Sequence, residues 1–341
     1  DRTAGIPWGH LASVTNRIPK LQSLSLTNLF YVPPKASVLR SYYADIFLNA
    51  PSLLVVNLVS SIFPLNLPWR QLEDVSLNYT AFDSYRQFAD HFALVMTRTT
   101  APAFSWGENL ELIEDVDNIA PTLQTVENHC IVDIRIPPMI LPPVLLPKLT
   151  ALHFVVSDSR DECLDSVSQV VTLLKNSDCH LLHLKIEQWP SHYTGDVTSI
   201  APLLPYLTSL QSLNWVASMW DEDVAINLLT SLHNLLVNLP VRLPALTSLT
   251  LELYESIVEE AALSFYSFGA FHAGLIWNIV QSRMLNWDAW PVGHKIVKLE
   301  HFYIEVKSSD NENAGVEVMD EGFKESQAWS NIKAADVDFR F

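Results

Sequence analysis

The sequence predicts an α/β fold: a right-handed, horseshoe-shaped solenoid with parallel strands on its concave face and helices on its convex face. Three observations predict it. A short leucine pattern recurs nine times, helix-capping patterns follow several copies, and 49% of the 341 residues are hydrophobic against 17% charged. That composition marks an ordered chain with much to bury. Length alone suggests about two domains. A stacked array grows by adding units, however, so residues 1–341 are expected to form a single domain of nine or ten irregular repeats.

The first copy is the clearest, Pro19-Lys20-Leu21-Gln22-Ser23-Leu24-Ser25-Leu26, and Pro51 to Leu58 follows it. Then come Leu72-x-x-Val75-x-Leu77, Leu123-x-x-Val126, and Pro147 to Phe154 with Leu149, Leu152 and Phe154 in the same places. The remaining copies are Leu181-x-x-Leu184-x-Ile186, Leu210-x-x-Leu213-x-Trp215, Leu246-x-x-Leu249-x-Leu251 and Leu299-x-x-Phe302-x-Ile304. Two apolar residues two apart point to one face of a short strand. The first leucine turns inward from the approach loop, and stacking the units buries a continuous column. This is the wording of a leucine-rich repeat. The spacing is irregular, from 19 (Leu53 to Leu72) to 53 (Leu246 to Leu299). The long gaps, 78–122 and 252–298, are expected to hold a degenerate repeat or an insertion.

Helices are expected in the gaps. Capping patterns run from Thr80 to Asp83, Ser159 to Glu162, Ser218 to Asp221 and Ser256 to Glu259, each pairing an N-cap hydroxyl with an N3 carboxylate. Apolar residues follow at helical spacing: Tyr85, Phe88, Phe92 and Val95; Leu164, Val167, Val171 and Leu174; Leu228, Leu229, Leu232, Leu235 and Leu236. Residues 261–281 form the longest helical candidate. Residues 97–112 fit no element, and 137–143, rich in proline, read as an extended loop. Residues 305–341 are expected to cap the array, with a mobile acidic loop over 308–322.

Wording inside the repeats resembles one family. Leu67-Pro68-Trp69-Arg70-Gln71-Leu72-Glu73-Asp74-Val75-Ser76-Leu77 resembles a repeat frequent in fungal F-box proteins with irregular leucine-rich repeats, and Ile6-Pro7-Trp8-Gly9-His10-Leu11 echoes it. The stretch from Leu173 to Leu184, with Ser177, Cys179 and Leu181, is similar to that family's helix-to-strand junction. The resemblance spans about residues 6–304. It implies a substrate-recognition role in a cullin-type ubiquitin ligase, with the ligase adaptor as partner if an F-box lies upstream of Asp1. No F-box helix pattern occurs within the chain itself. A repeat scaffold or inhibitor without a ligase role is the alternative.

Charge narrows the partners. The formal net charge is −17, which repels phosphate backbones, so nucleic acid is not expected and a protein partner is. No apolar run approaches the roughly 18 residues that span a bilayer, so no membrane association is expected. Cys130, Cys163 and Cys179 form no CxxC pair, which suits a reducing compartment, cytoplasmic or nuclear. The sequon at Asn78-Tyr79-Thr80 is read as unmodified.

No enzyme is expected. With nine glycines and no phosphate-loop, nucleophile-elbow or HExxH pattern, no catalytic residue and no cofactor is assigned. The acidic triplets at 115–117, 221–223 and 336–338 read as solvated faces or helix starts. Cys179, His180 and His183 are set aside as zinc ligands, because neighbours on a strand alternate faces and fewer than four ligands converge. No metal is expected. The candidate residues are instead those between the strand leucines, which face the concave side. Ser23, Ser25, Thr27, Val55, Asn57, Asp74, Ser76, Asn78, Thr125, Glu127 and Ala151 are mostly small. Bulkier anchors gather later: His153, His183, Lys185, Glu187, Asn214, Thr250, Glu252, His301, Tyr303 and Glu305. Large polar and aromatic side chains make better interface anchors than Ser or Thr, so these ten are the expected partner-binding residues.

Overall fold

The computed structural model describes residues 18–27, 47–59, 67–79, 95–99, 103–108, 124–125, 131–135, 144–156, 160–188, 200–219, 222–238, 242–255, 270–290, 296–308, 321–335 and 338–340. It is an α/β structure built on parallel strands. The chain divides into two compact units. The first takes residues up to Leu152 plus Thr172–Cys179, and the second takes His153–Val171 and everything from His180.

The first unit holds β1 (Ser23–Thr27), β2 (Val55–Val59), β3 (Asp74–Tyr79), β4 (Ala103–Glu108), β5 (Gln124–Thr125), β6 (Ile131–Arg135) and β7 (Val144–Leu145). Strands β1, β2, β3, β4 and β6 lie side by side, all parallel. Their register stacks two columns: Leu24, Val56, Val75, Phe104 and Val132 in one, Leu26, Leu58, Leu77, Trp106 and Ile134 in the other. Most members whose side chains are described are buried, Val75, Leu58 and Leu77 completely. Strands alternate faces, so the two columns share one side of the sheet and the residues between them the other.

Three departures from the sequence reading fall here. The copy at Leu123 is not a rung of this ladder: β5 pairs with β7 in a separate two-stranded sheet. Thr125 is therefore not on the candidate face, and Glu127 lies outside the described residues. The rung lies further on, at β6. The unassigned stretch 97–112 contains β4, another full rung, in which Phe104 and Trp106 stand where leucines were sought.

The second unit begins within β8 (Ala151–Val156) and α1 (Arg160–Ser177) and continues through β9 (His183–Gln188), β10 (Ser212–Met219), α2 (Glu222–Leu236), β11 (Ser248–Glu255) and α3 (Ala270–Val280). It closes with β12 (His301–Ser308), α4 (Glu321–Glu325), α5 (Gln327–Ala334) and β13 (Asp338–Arg340). Here the columns are Leu184, Leu213, Leu249 and Phe302, and Ile186, Trp215, Leu251, Ile304 and Phe339. Leu213, Leu249, Leu251 and Ile304 have no exposed surface. Of the residues anticipated from helical periodicity, Val167 and Leu174 on α1 and Leu228, Leu229, Leu232 and Leu236 on α2 are buried, whereas Val171 and Leu235 are half-buried.

Repetition extends to the backbone. The leading leucines Leu53, Leu72, Leu149, Leu181, Leu210, Leu246 and Leu299 are all buried. In Leu53, Leu149, Leu210 and Leu246 the N–H donates to the carbonyl three residues back, a single tight turn that swings the side chain inward. The carbonyl after a leading leucine then accepts two N–H groups from the segment entering the neighbouring strand. Gln22, Leu54, Leu182, Gln211 and Thr247 all do so. Since each such bond joins equivalent positions, the register of one strand fixes that of its neighbour.

Side chains finish the loops. Gln71 Nε2 donates to the Ala50 and Leu53 carbonyls at 2.6 and 2.8 Å, and the Leu146 N–H donates to Ser177 Oγ at 2.9 Å. Asp178, with φ of 47°, ends α1 in the left-handed conformation that aspartate tolerates better than most residues.

The long helical candidate, 261–281, begins among the described residues at Ala270 and widens over Gln281–Leu285 into a π turn. Residues 261–269 lie outside the described set, as do the loop over 137–143 and the caps at Thr80, Ser159 and Ser256. Of the acidic loop expected over 308–322, residues 309–320 lie outside it; Ser308 ends β12, and Glu321 and Gly322 open α4. The expected cap carries one more rung, β13, which pairs with β12.

Candidate functional site

The residues between the ladder columns of the second unit form the candidate face. Strand register sets them in rows. His183, Ser212, Ser248 and His301 make the first row, Lys185, Asn214, Thr250, Tyr303 and Asp338 the second, and Glu187, Val216, Glu252, Glu305 and Arg340 the third. His153 occupies the matching place on β8, between buried Leu152 and Phe154. All ten sequence-predicted anchors therefore fall on this one face. His183 and His301 are exposed, and the other eight are half-buried.

The structure brings some of these into contact and not others. Glu187 is the centre of the first group. Its Oε1 lies 2.9 Å from His153 Nε2 and 2.6 Å from Lys185 Nζ. The hydrogen bond from His153, with a further one from Lys185, outweighs burial and pulls the Glu187 carboxyl down to about 2. It is a fixed anion at neutral pH, too acidic to shuttle protons there. In the second group, Asn214 Nδ2 donates to Glu252 Oε1 at 3.2 Å, and the Tyr254 hydroxyl donates to Oε2 at 3.4 Å. Val216 separates Glu187 from Glu252 in the third row and is itself buried. Thr250 stands between Asn214 and Tyr303. His183 and His301 stand at opposite ends of the first row, with β10 and β11 between them, and form no pair.

Tyr254, Val216 and Arg340 escape the sequence reading. A motif five residues long implies a five-residue strand, whereas β10 and β11 each run for eight. The signal for Tyr254 was alternation continuing past the motif, through Leu251, Leu253 and the polar positions between them. Arg340 had none, since β13 follows no leading leucine.

No protein-family model matches the chain, and neither a curated protein nor a solved structure is significantly similar to it.

Chemically, the described residues of the face present two groups of contacts, one around Glu187 and one around Glu252. Among the described residues no group of three or more His, Cys, Asp and Glu side chains is placed to hold a metal ion. Cys179 is half-buried, and burial chiefly pushes its thiol up, away from thiolate reactivity. No helix among the described residues is long and apolar enough to cross a membrane. The result is a row-ordered polar surface on which Glu187 is held by His153 and Lys185 and Glu252 by Asn214 and Tyr254, a pre-organisation of the kind that lowers the cost of binding.

Proposed function

We propose that this chain is a protein-binding leucine-rich-repeat module: one solenoid domain whose parallel strands line a concave recognition face. The observation that carries the reading is the two-column ladder itself. Buried aliphatic and aromatic residues alternate with half-exposed polar ones in the same register from strand to strand. Such an array leaves one continuous sheet face for a partner. The anchors are His153, Lys185, Glu187, Asn214, Thr250, Glu252, Tyr303 and Glu305, flanked by His183 and His301. Binding is non-covalent and uses no cofactor.

The resemblance to fungal F-box proteins extends the proposal to substrate recognition in a cullin-type ubiquitin ligase, acting in the cytoplasm or nucleus. Two experiments test the two halves. Quantitative affinity purification compares wild type with a Lys185→Glu, Glu252→Lys, Tyr303→Ala variant. Partners retained by the first and lost by the second support the face, and an identical set of partners removes it. Co-purification of the complete gene product with the ligase adaptor tests the ligase half. Its failure leaves a repeat scaffold or inhibitor that binds through the same face.

A further inference from the structure

Away from the sheet face, the second unit has an open pocket of about 510 Å³, bounded by the end of α2 and the turns that follow α3. Val237 and Ala289 supply apolar wall, Asn238, Gln281 and Asn286 supply carboxamides, and Trp290 supplies an indole. Among the described residues no charged side chain lines it, in a chain whose net charge is −17. The volume falls within the roughly 300–1,000 Å³ usual for small-molecule sites.

The lining is held in place. Trp290 Nε1 donates to the Ser282 carbonyl at 3.1 Å, so its one donor is used and the indole offers ring surface alone. The Asn286 backbone N–H donates to the Gln281 carbonyl at 2.8 Å, and the Ala289 N–H to the Asn286 carbonyl at 3.1 Å, which ties together three of the lining residues. The carboxamides of Gln281 and Asn286 are exposed and bond no other group among the described residues. Asn238 Nδ2 donates to Asn234 Oδ1 at 2.7 Å, leaving the Asn238 carbonyl oxygen to accept from a ligand.

This chemistry selects by exclusion. An anion would find no cation among the described lining, and a cation would find no carboxylate. A wholly apolar ligand would strip water from the carboxamides it covers and return no hydrogen bond. A carboxamide presents a donor and an acceptor side by side, which suits neighbouring hydroxyls that both give and take hydrogen bonds. An indole face suits the C–H-rich side of a pyranose ring. We propose that the pocket binds a neutral saccharide, its ring against Trp290 and its hydroxyls on Gln281, Asn286 and Asn238. The sugar could be free or the terminal residue of a glycan on another molecule, and the chemistry is shared.

Saturation-transfer NMR on the full chain tests this with glucose, mannose, N-acetylglucosamine, maltose and cellobiose, alongside glucuronate and glucosamine as charged counterparts. The methyl glycoside of any sugar that binds separates the two sources: equal binding points to a conjugated terminal residue, and loss of binding to a free reducing sugar. The expected result is saturable binding of at least one neutral sugar, weaker for its charged counterpart. Gln281→Leu and Asn286→Leu should each weaken it about five- to tenfold, the loss of one net hydrogen bond. Both residues are exposed, so an unchanged melting temperature serves as the folding control. Three results would overturn the proposal: no saturation by any sugar, saturation indifferent to both substitutions, or a neutral glycine–serine peptide that competes for the pocket more strongly than every sugar tested.

Discussion

His153 on β8 reaches Glu187 on β9, Nε2 to Oε1 at 2.9 Å, across 34 residues of sequence. Lys185, on the same strand as Glu187, closes on the same oxygen at 2.6 Å. The contact from His153 runs diagonally, one row along the sheet, so it exists only while β8 and β9 keep their register. The charge pattern of this face therefore depends on the ladder beneath it, which under the proposed function would tie recognition to strand register.

Acid should expose that dependence. The Glu187 carboxyl, ordinarily near 4.5, is held down to about 2, first by the hydrogen bond from His153. A carboxyl lowered in the folded state contributes stability that is fully present above about 4.5 and is lost as pH falls toward 2. The wild-type melting temperature is expected to drop across that window, and Glu187→Gln to flatten the drop while costing about 1–3 kcal/mol at pH 7. Parallel acid limbs for the two proteins would show that Glu187 is not held in this way.

Arg283 should be the costliest polar substitution in the second unit. Its guanidinium has no exposed surface and donates to three carbonyls, Leu243 at 3.3 Å and Leu246 and Val297 at 3.2 Å. Those carbonyls belong to the turns that enter β11 and β12. Burial lowers the group to about 10, which leaves it charged at neutral pH. Arg283→Met should cost about 3–5 kcal/mol, because it orphans buried carbonyls as well as removing the donors. Arg283→Lys should recover only part of this, since an ammonium lacks the planar fork that spans them. Urea midpoints decide it, and a Met variant within about 0.5 kcal/mol of wild type would rule out the staple.

Much of the ladder was legible in the sequence because leucine two apart from leucine has one cheap solution, a strand with one face buried. The failures follow from the same rule. Phe104 with Trp106, and Val132 with Ile134, fill the same columns as leucine does, yet neither pair follows a leading leucine, so β4 and β6 were missed. Leu123 and Val126 match the wording, yet the adjoining strand pairs elsewhere. The candidate face was predictable as a list, because alternation alone assigns residues to a side. Its pairings were not, since they depend on which diagonal neighbours meet. Arg283 gave no warning either: one arginine beside a run of apolar residues looks like a helix edge until the turns entering β11 and β12 close around it.

A smaller effect is expected at the last helix. Ser326 caps α5: its Oγ accepts from the Trp329 N–H at 3.0 Å and donates to the Phe323 carbonyl at 2.7 Å. The cap holds Phe323 and Trp329 together, ring centres 5.0 Å apart, with Lys333 Nζ 5.5 Å from the Trp329 ring. Ser326→Ala should cost about 1 kcal/mol, with Ser326→Asp closer to wild type in the same melt because its carboxylate can accept the same N–H. If Asp proves as damaging as Ala, the acceptor role of Ser326 is not what stabilises the helix.

The orientation of the second unit's ladder reduces to two adjacent residues on β11. Leu251 has no exposed surface, while Thr250 beside it is half-exposed on the opposite face, between Asn214 and Tyr303. Leu251→Ala would leave a cavity among Trp215, Ile304 and their neighbours in the column, at a cost of about 2–5 kcal/mol. Thr250→Ala removes no buried group and should stay within about 0.5 kcal/mol of wild type. The two should part in the opposite sense on binding: Leu251→Ala, once corrected for its folded fraction, should leave partner affinity unchanged, whereas Thr250→Arg should weaken it without lowering stability. Equal stability losses from the two alanine variants would mean the strand has its faces reversed, and the row of anchors from His153 to Glu305 would then be core instead of surface.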